Sequence, residues 1–242
     1  MKIAGIQKLT LLDFPGRLAA TIFTPGCNLR CPFCHNASLV DPEELKTTLE
    51  ETGLLDPEEI LAFLKERFGR LTGLAVTGGE PLMQPGIMEF LSKVKELGYA
   101  VKLDTNGTNP ERLGALLKAG IVDYVAMDFK NWRGKYAQIT DIPEATAAIL
   151  YENTLHSVRV IREFAPDYEF RTTVVKQFHT VEDIAKIAQE IAGVPKYFLQ
   201  SFKDSGDILG RQEFSACSKE TMLEMQKAAQ QYVPNTQLRG ID

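Results

Sequence analysis

Residues Leu18 to Asn36 read LAATIFTPGCNLRCPFCHN, an apolar, β-rich run followed by a loop carrying three cysteines. Leu18 to Phe23 predicts a strand, Thr24-Pro25-Gly26 turns the chain, and Cys27, Cys31 and Cys34 follow at the spacing C-x3-C-x2-C. A strand that delivers reactive side chains from its C-terminal end is the repeating unit of (β/α) barrels. The chain's one other cysteine is Cys217. Three thiolates can hold three corners of an iron–sulfur cube and leave the fourth iron without a protein ligand, whereas the usual cluster frameworks and structural zinc sites are closed by four. On spacing alone Cys217 or the adjacent His35 could close such a set, so a non-catalytic zinc or iron–sulfur protein, including an electron carrier, stays open at this point.

Outward from this stretch, apolar runs alternate with helical patterns, as in repeated βα units around a parallel sheet. Five further strands are predicted: Gly73 to Val76, Ala100 to Asp104, Val122 to Met127, Tyr168 to Val175 and Lys196 to Phe202. Most are nearly continuously apolar, which fits burial on both faces. Asp56-Pro57-Glu58-Glu59 supplies an N-cap, a first-turn proline and an N3 glutamate, and Asp41-Pro42-Glu43-Glu44 repeats the device. Asn109-Pro110 starts a helix that Gly120 stops, and Thr180 with Asp183 starts one that Gly193 stops. Longer helices are expected over 144–164 and 218–232. The sum is an α/β chain forming an open, partial (β/α)6 TIM-like barrel as a single domain over 1–242. Its cysteine loop spans 24–36, and its C-terminal helix and tail span 218–242, where Thr236 to Gly240 suggests a terminal strand or ordered tail.

Composition narrows the classes. With 44% hydrophobic residues in 242, the chain can bury a substantial core, and no stretch reads as a flexible linker. A formal net charge of −5 without long basic runs argues against nucleic acid. No secretory-type leader precedes Lys8 and no apolar run reaches membrane-span length, so a cytoplasmic protein with reduced thiols is expected, not one bound to membrane. Four cysteines are too few for a disulfide scaffold.

The remaining motifs fall at predicted strand ends: Thr77-Gly78-Gly79-Glu80-Pro81, Asp104-Thr105-Asn106-Gly107 and Asp128-Phe129-Lys130. Arg171 lies within the fifth strand and Gln200 at the end of the sixth. Each has an ordinary reading. Paired glycines are common in βα turns, Asn-Gly is a hairpin signal, Asp128 with Lys130 could be a solvated ion pair, and Arg171 and Gln200 could satisfy one another. Their coincidence at one rim is the informative fact. Of the histidines, His35 adjoins the cysteines, while His156 and His179 read as helical and capping residues; Cys217 reads as a buried apolar thiol.

With C-x3-C-x-Phe33-C and Gly78-Gly79-Glu80-Pro81 in place, the chain resembles the radical S-adenosylmethionine superfamily. Asp13-Phe14-Pro15-Gly16, Phe23-Thr24-Pro25-Gly26-Cys27-Asn28 and Cys34-His35-Asn36 make it similar, within that superfamily, to the activating enzymes of glycyl radical enzymes. The anaerobic ribonucleoside-triphosphate reductase activating proteins are the nearest type, and pyruvate formate-lyase activating enzymes are similar in length and motif order.

The resemblance implies a barrel of radical SAM type and one 4Fe-4S cluster on Cys27, Cys31 and Cys34, whose open iron takes the amino and carboxylate groups of S-adenosylmethionine. It places Phe33 and His35 near the adenine, Gly78, Gly79 and Glu80 at the methionyl amino group, and Asp104 and Thr105 beside the methionyl and ribose portions. Asp128 and Lys130 would fix the carboxylate, with a monovalent cation near Asp104, and Arg171 and Gln200 would lie on the adenosyl side. The implied oxidoreductase takes an electron from a donor such as flavodoxin or ferredoxin and makes a 5′-deoxyadenosyl radical. That radical abstracts hydrogen from a glycine of the partner, a glycyl radical enzyme serving as protein substrate. No protein acid, base or nucleophile is required. A formate-lyase-type partner, a small molecule or a peptide are the alternative targets. Lys203 stands where the formate-lyase activators have a histidine, and the stretch from Ala37 to Phe68 contains no cysteine, so the further clusters of a ferredoxin-like insertion are not expected.

Overall fold

In the computed structural model, which describes residues 1–204, 206, 208–210 and 212–241, eight strands form one sheet in the order of the chain. They are β1 (Gly5–Thr10), β2 (Ala19–Thr24), β3 (Gly73–Gly78), β4 (Ala100–Thr105), β5 (Tyr124–Asp128), β6 (Asp167–Val174), β7 (Tyr197–Ser201) and β8 (Thr236–Arg239). β1 pairs with β2 antiparallel, and every later neighbour is parallel. The six strands read from sequence are β2 to β7. The sheet does not close, because β1 and β8 are its two edges. β8 is the terminal strand suggested for the tail, and Asp242, the last residue of the expected domain, lies outside the described residues.

β1 was not expected. Its sequence, GIQKLT, leaves Gln7, Lys8 and Leu9 exposed, so an edge strand held by one neighbour carries neither a continuous apolar run nor a regular alternation. β5 starts at Tyr124, not Val122, because the Asp123 carboxylate accepts from the Val101 N–H at 2.7 Å and from Lys95 at 2.7 Å.

The helices are α1 (Ala37–Val40), α2 (Pro42–Thr52), α3 (Pro57–Glu66), α4 (Ile87–Glu96), α5 (Pro110–Lys118), α6 (Arg133–Thr140), α7 (Glu144–Phe164), α8 (Val181–Glu190) and α9 (Lys219–Gln230). The caps act as read. Asp41, Asp56 and Asn109 accept from backbone N–H groups of their first turns, and Thr180 and Asp183 close a reciprocal capping box. Neither α4 nor α6 carried a legible start: the residues before them are Gly86 and Trp132, and neither makes a side-chain cap.

Period-two alternation divides the strands' side chains. Ile22, Leu74, Val76, Val101, Leu103, Val125, Met127, Phe170, Val174 and Leu199 join the core under the helices. The opposite, concave face departs from the expectation of an apolar interior, because it holds Thr21, Lys102, Glu169 and Arg171. Its lower end is closed by Phe14, Ala19, Ala100, Tyr124 and Ala126. Its upper end is where β2 to β5 finish together, and the loops leaving them build the site.

Candidate functional site

Two loops are joined by main chain before any ligand is considered. The Gly79 N–H donates to the Thr24 carbonyl and the Glu80 N–H to the Gly26 carbonyl, both at 2.8 Å, and the Gln84 side chain donates to the Pro25 carbonyl at 2.6 Å. Gly78 takes φ +111°, and a Cβ on it would stand 2.5 Å from the Thr24 nitrogen. A Cβ on Gly79 would stand 2.0 Å from the Gly26 oxygen. The glycine pair is therefore required by the close approach of the β3 loop to the cysteine loop. Asn36 completes the seam by donating to the Gly78 carbonyl at 2.6 Å.

Between these loops opens a cavity of about 790 Å³, counting the open space at its mouth. Cys27, Cys31 and Cys34 line it together with Phe33, His35, Gly78, Gly79, Glu80, Asp104, Thr105, Asp128 and Lys130. Twelve of its eighteen lining residues are ones put forward from the sequence as site residues, and Leu29, Asn36, Val40, Thr77, Asn106 and Thr173 are not. Two expected residues are not among its lining. Arg171 stands behind it: its Nε donates to Asp128 at 2.9 Å and its guanidinium lies 3.3 Å from Asp104, so its partners are carboxylates and not Gln200. Gln200 is paired in register with Thr173 and Arg239 farther along the sheet.

The thiols sit in an apolar nest with Leu29, Phe33, Val175, Phe178, Phe202 and Phe214. Burial, with the Glu80 charge adding to it, pushes the Cys27 thiol up to about 11, and burial pushes Cys31 up to about 12. Both are therefore protonated at neutral pH until a metal takes the proton's place. Cys27 Sγ receives two weak N–H contacts, from Leu29 N at 3.4 Å and Asn106 Nδ2 at 3.7 Å. His35 stacks on Phe202 with ring centroids 5.2 Å apart. Among the described residues no three His, Cys, Asp or Glu side chains converge as they would on a single ion. Cys217 packs against the main core and not in this nest.

Charge is concentrated on the opposite wall. Glu80 is 1% exposed and accepts from Leu82 N at 3.1 Å, Thr105 Oγ1 at 2.8 Å and Asn106 N at 2.8 Å. Burial nevertheless raises its carboxyl to about 7 against those hydrogen bonds. Burial opposes ionisation of Asp128 too, but Arg171 and Lys130 outweigh it and hold the carboxyl near 2. Lys130 lies 3.3 Å from Asp128, and its ammonium, disfavoured by burial, is held charged by that carboxylate.

Sequence reading missed the support behind this wall. Lys102 donates to Asp104, and a lysine inside an otherwise apolar strand was the available signal. His179 is 3% exposed and not a surface cap: Nδ1 accepts from the Val175 N–H at 3.1 Å, so Nε2 donates to the Lys130 carbonyl at 3.0 Å. Nothing in the local sequence announces that contact, which spans 49 positions.

A family model described as "Radical SAM superfamily" matches residues 21–191. A Methanocaldococcus jannaschii protein, named provisionally as a glycyl-radical enzyme activating enzyme, is 34% identical over 99% of this chain and 96% of its own length. The pyruvate formate-lyase-activating enzyme of Clostridium pasteurianum is 35% identical over 54% of this chain and 52% of that one. Among solved structures, Streptococcus suis SuiB bound to precursor peptide SuiA superposes with a TM-score of 0.68 at 12% identity, over 91% of this chain and 48% of that one. That likeness is one of fold, and the chain spans about half the length of SuiB.

Proposed function

Since the chain belongs to the radical SAM superfamily, we propose that it is an oxidoreductase that activates a glycyl radical enzyme, with anaerobic ribonucleoside-triphosphate reductase as the partner. Membership implies a 4Fe-4S cluster and S-adenosylmethionine. The observation that carries the activase reading is the end-to-end 34% identity with the M. jannaschii protein. The choice of partner rests on Asp13 to Gly16 and on the residues flanking the cysteines.

The donor set fits such a cluster. Three cysteines on one loop line the apolar side of one cavity and Cys217 is placed elsewhere, so the zinc reading lacks its distant fourth thiol. Cys27, Cys31 and Cys34 would hold the cluster. When bound, cluster and S-adenosylmethionine supply an electron-driven cleavage that yields methionine and a 5′-deoxyadenosyl radical able to take hydrogen from a glycine Cα.

The chain's own residues bind, orient and exclude water. Phe33 and the phenylalanines around the thiols keep solvent from the cluster loop. Lys130 shares Asp128 with Arg171, which leaves its ammonium available to a substrate carboxylate. Glu80, with a carboxyl near 7, is placed to accept from an ammonium at the cavity wall. Phe33 and His35 would border the adenine, and Thr105 and Asp104 the ribose and methionyl portions. Asp104 is engaged by both Lys102 and Arg171, which argues against a separate monovalent cation there. An external one-electron donor of flavodoxin or ferredoxin type would act, in a compartment that keeps thiols reduced. Among the described residues no helix is long and apolar enough to cross a membrane.

The test is anaerobic incubation of the reconstituted protein with S-adenosylmethionine, a reductant and the candidate reductase. A glycyl EPR signal on the reductase, matched by deoxyadenosine, is expected. Deoxyadenosine with no signal on any glycyl radical enzyme would move the substrate to a small molecule or a peptide.

A further inference from the structure

The charges of the concave face form one connected ladder. Lys102 pairs with Asp104, Asp104 and Asp128 share Arg171, Asp128 also takes Lys130, and Glu169 lies 4.0 Å from Arg171. At its lower end Arg239 grips Glu169 with two parallel hydrogen bonds of 2.8 and 2.9 Å, while Tyr124 donates to the same carboxylate at 2.8 Å. Glu169 is 2% exposed, so its charge cannot be left to water. Arg239 lies in β8, the last strand, and its guanidinium sits 3.4 Å from the centre of the Phe198 ring, which fixes its plane.

Arg171 faces a choice among three carboxylates. It hydrogen-bonds Asp128, lies near Asp104 and only approaches Glu169. What settles that choice is the satisfaction of Glu169 from the other side. Without Arg239, the buried Glu169 has one neutral donor left and a guanidinium within reach, and closing that gap would draw Arg171 down and away from the cavity wall.

We propose that Arg239 is a positioning residue for the cofactor site: by neutralising Glu169 it leaves Arg171 to hold Asp104 and Asp128 in place at the cavity wall. The C-terminal strand thereby becomes part of the binding machinery at a distance of three ion pairs. This inference rests on the reading of the cavity as the S-adenosylmethionine site.

The experiment is anaerobic equilibrium binding of S-adenosylmethionine to the cluster-reconstituted native protein, to R239Q, and to the double variant R239Q/E169Q, with thermal unfolding alongside. R239Q is expected to weaken binding by roughly five- to tenfold, as for coupled neighbours. The double variant is expected to recover most of that loss, because a neutral residue 169 no longer competes for Arg171. A role in packing alone predicts no such recovery, so a double variant as weak as R239Q overturns the proposal, as does an R239Q that binds like the native protein. Should R239Q fail to fold, R239K and the double variant decide: R239K must bind with intermediate strength and the double variant must fold and bind. Failure of the native protein to bind the cofactor would refute the underlying site reading and this inference with it.

Discussion

Gly79 lies so close to Gly26 that a Cβ on it would stand 2.0 Å from the Gly26 carbonyl oxygen. The contact is backbone on backbone, so neither side can yield by turning a side chain. It ties the loop after β3 to the loop that carries the three thiols.

Gly79→Ala should therefore displace the cysteine loop and lower stability by about 1–3 kcal/mol, the usual cost of overpacking. The helix content should persist by circular dichroism while iron retention after reconstitution falls. Gly114→Ala is the control. Gly114 lies inside α5 with its nearest neighbour an ordinary 3.5 Å away, and the exchange should stabilise by about 0.5–1 kcal/mol. Equal iron retention in Gly79→Ala and native protein would show that the seam does not position the thiols.

Cysteine replacements should divide by location. Cys27→Ala, Cys31→Ala and Cys34→Ala are each expected to lose the cluster, seen as loss of iron, sulfide and the visible absorbance. Cys217→Ala should keep iron content and absorbance at the native level, because that thiol packs against the main core. Cluster loss in Cys217→Ala would restore the closed four-ligand reading.

His179 gives the protein a pH dependence of known sign. Burial lowers its basicity, and the neutral ring is what both accepts from Val175 and donates to Lys130. The unfolded chain binds the proton more readily, so stability rises with pH across this titration. The contribution is complete above the ordinary imidazole value of about 6.5 and is lost as pH falls toward the lower folded value. His179→Gln can offer one acceptor and one donor without titrating. Melting temperatures of the metal-free protein should therefore decline less steeply below about pH 6.5 in the variant. Parallel pH profiles would rule out His179 as the source.

Phe14 closes the lower end of the concave face. Its ring lies 6.0 Å from that of Tyr124, the Arg17 guanidinium is 5.4 Å from its centre, and a Cβ on Gly73 would stand 2.8 Å from its edge. Phe14→Ala should destabilise by about 3–5 kcal/mol, measured by denaturant unfolding. Gly73→Ala should be costly in the native background and cheaper in the Phe14→Ala background, since the clash goes with the ring. Additive losses in the double variant would count against the plug.

Much of the site was legible because its chemistry is local. The cysteine spacing, Gly78-Gly79-Glu80 and the acidic residues at strand ends lie within single loops, and the rule that reactive groups collect where parallel strands end assembled them at one rim. Arg171 and Gln200 were placed less well, because their positions within strands fix the face they occupy but not which partner across the sheet claims them. The strand β1 and helices α4 and α6 escaped for a different reason. An edge strand with one neighbour shows no buried period, and helices entered from Gly86 and Trp132 lack the capping side chains that mark a start.

The sequence by itself determined the α/β class, the six central strands, the thiol loop and the family, since hydrophobic period, caps and cysteine spacing are all properties of neighbouring residues. Only the tertiary structure decided that the barrel interior is charged, that Arg239 on the last strand shares Glu169 with a network reaching the cavity, and that His179 holds the chain at Lys130. These contacts join residues 70 and 49 positions apart. Burial makes them strong, and burial is set by the packing of the whole sheet and not by the residues on either side.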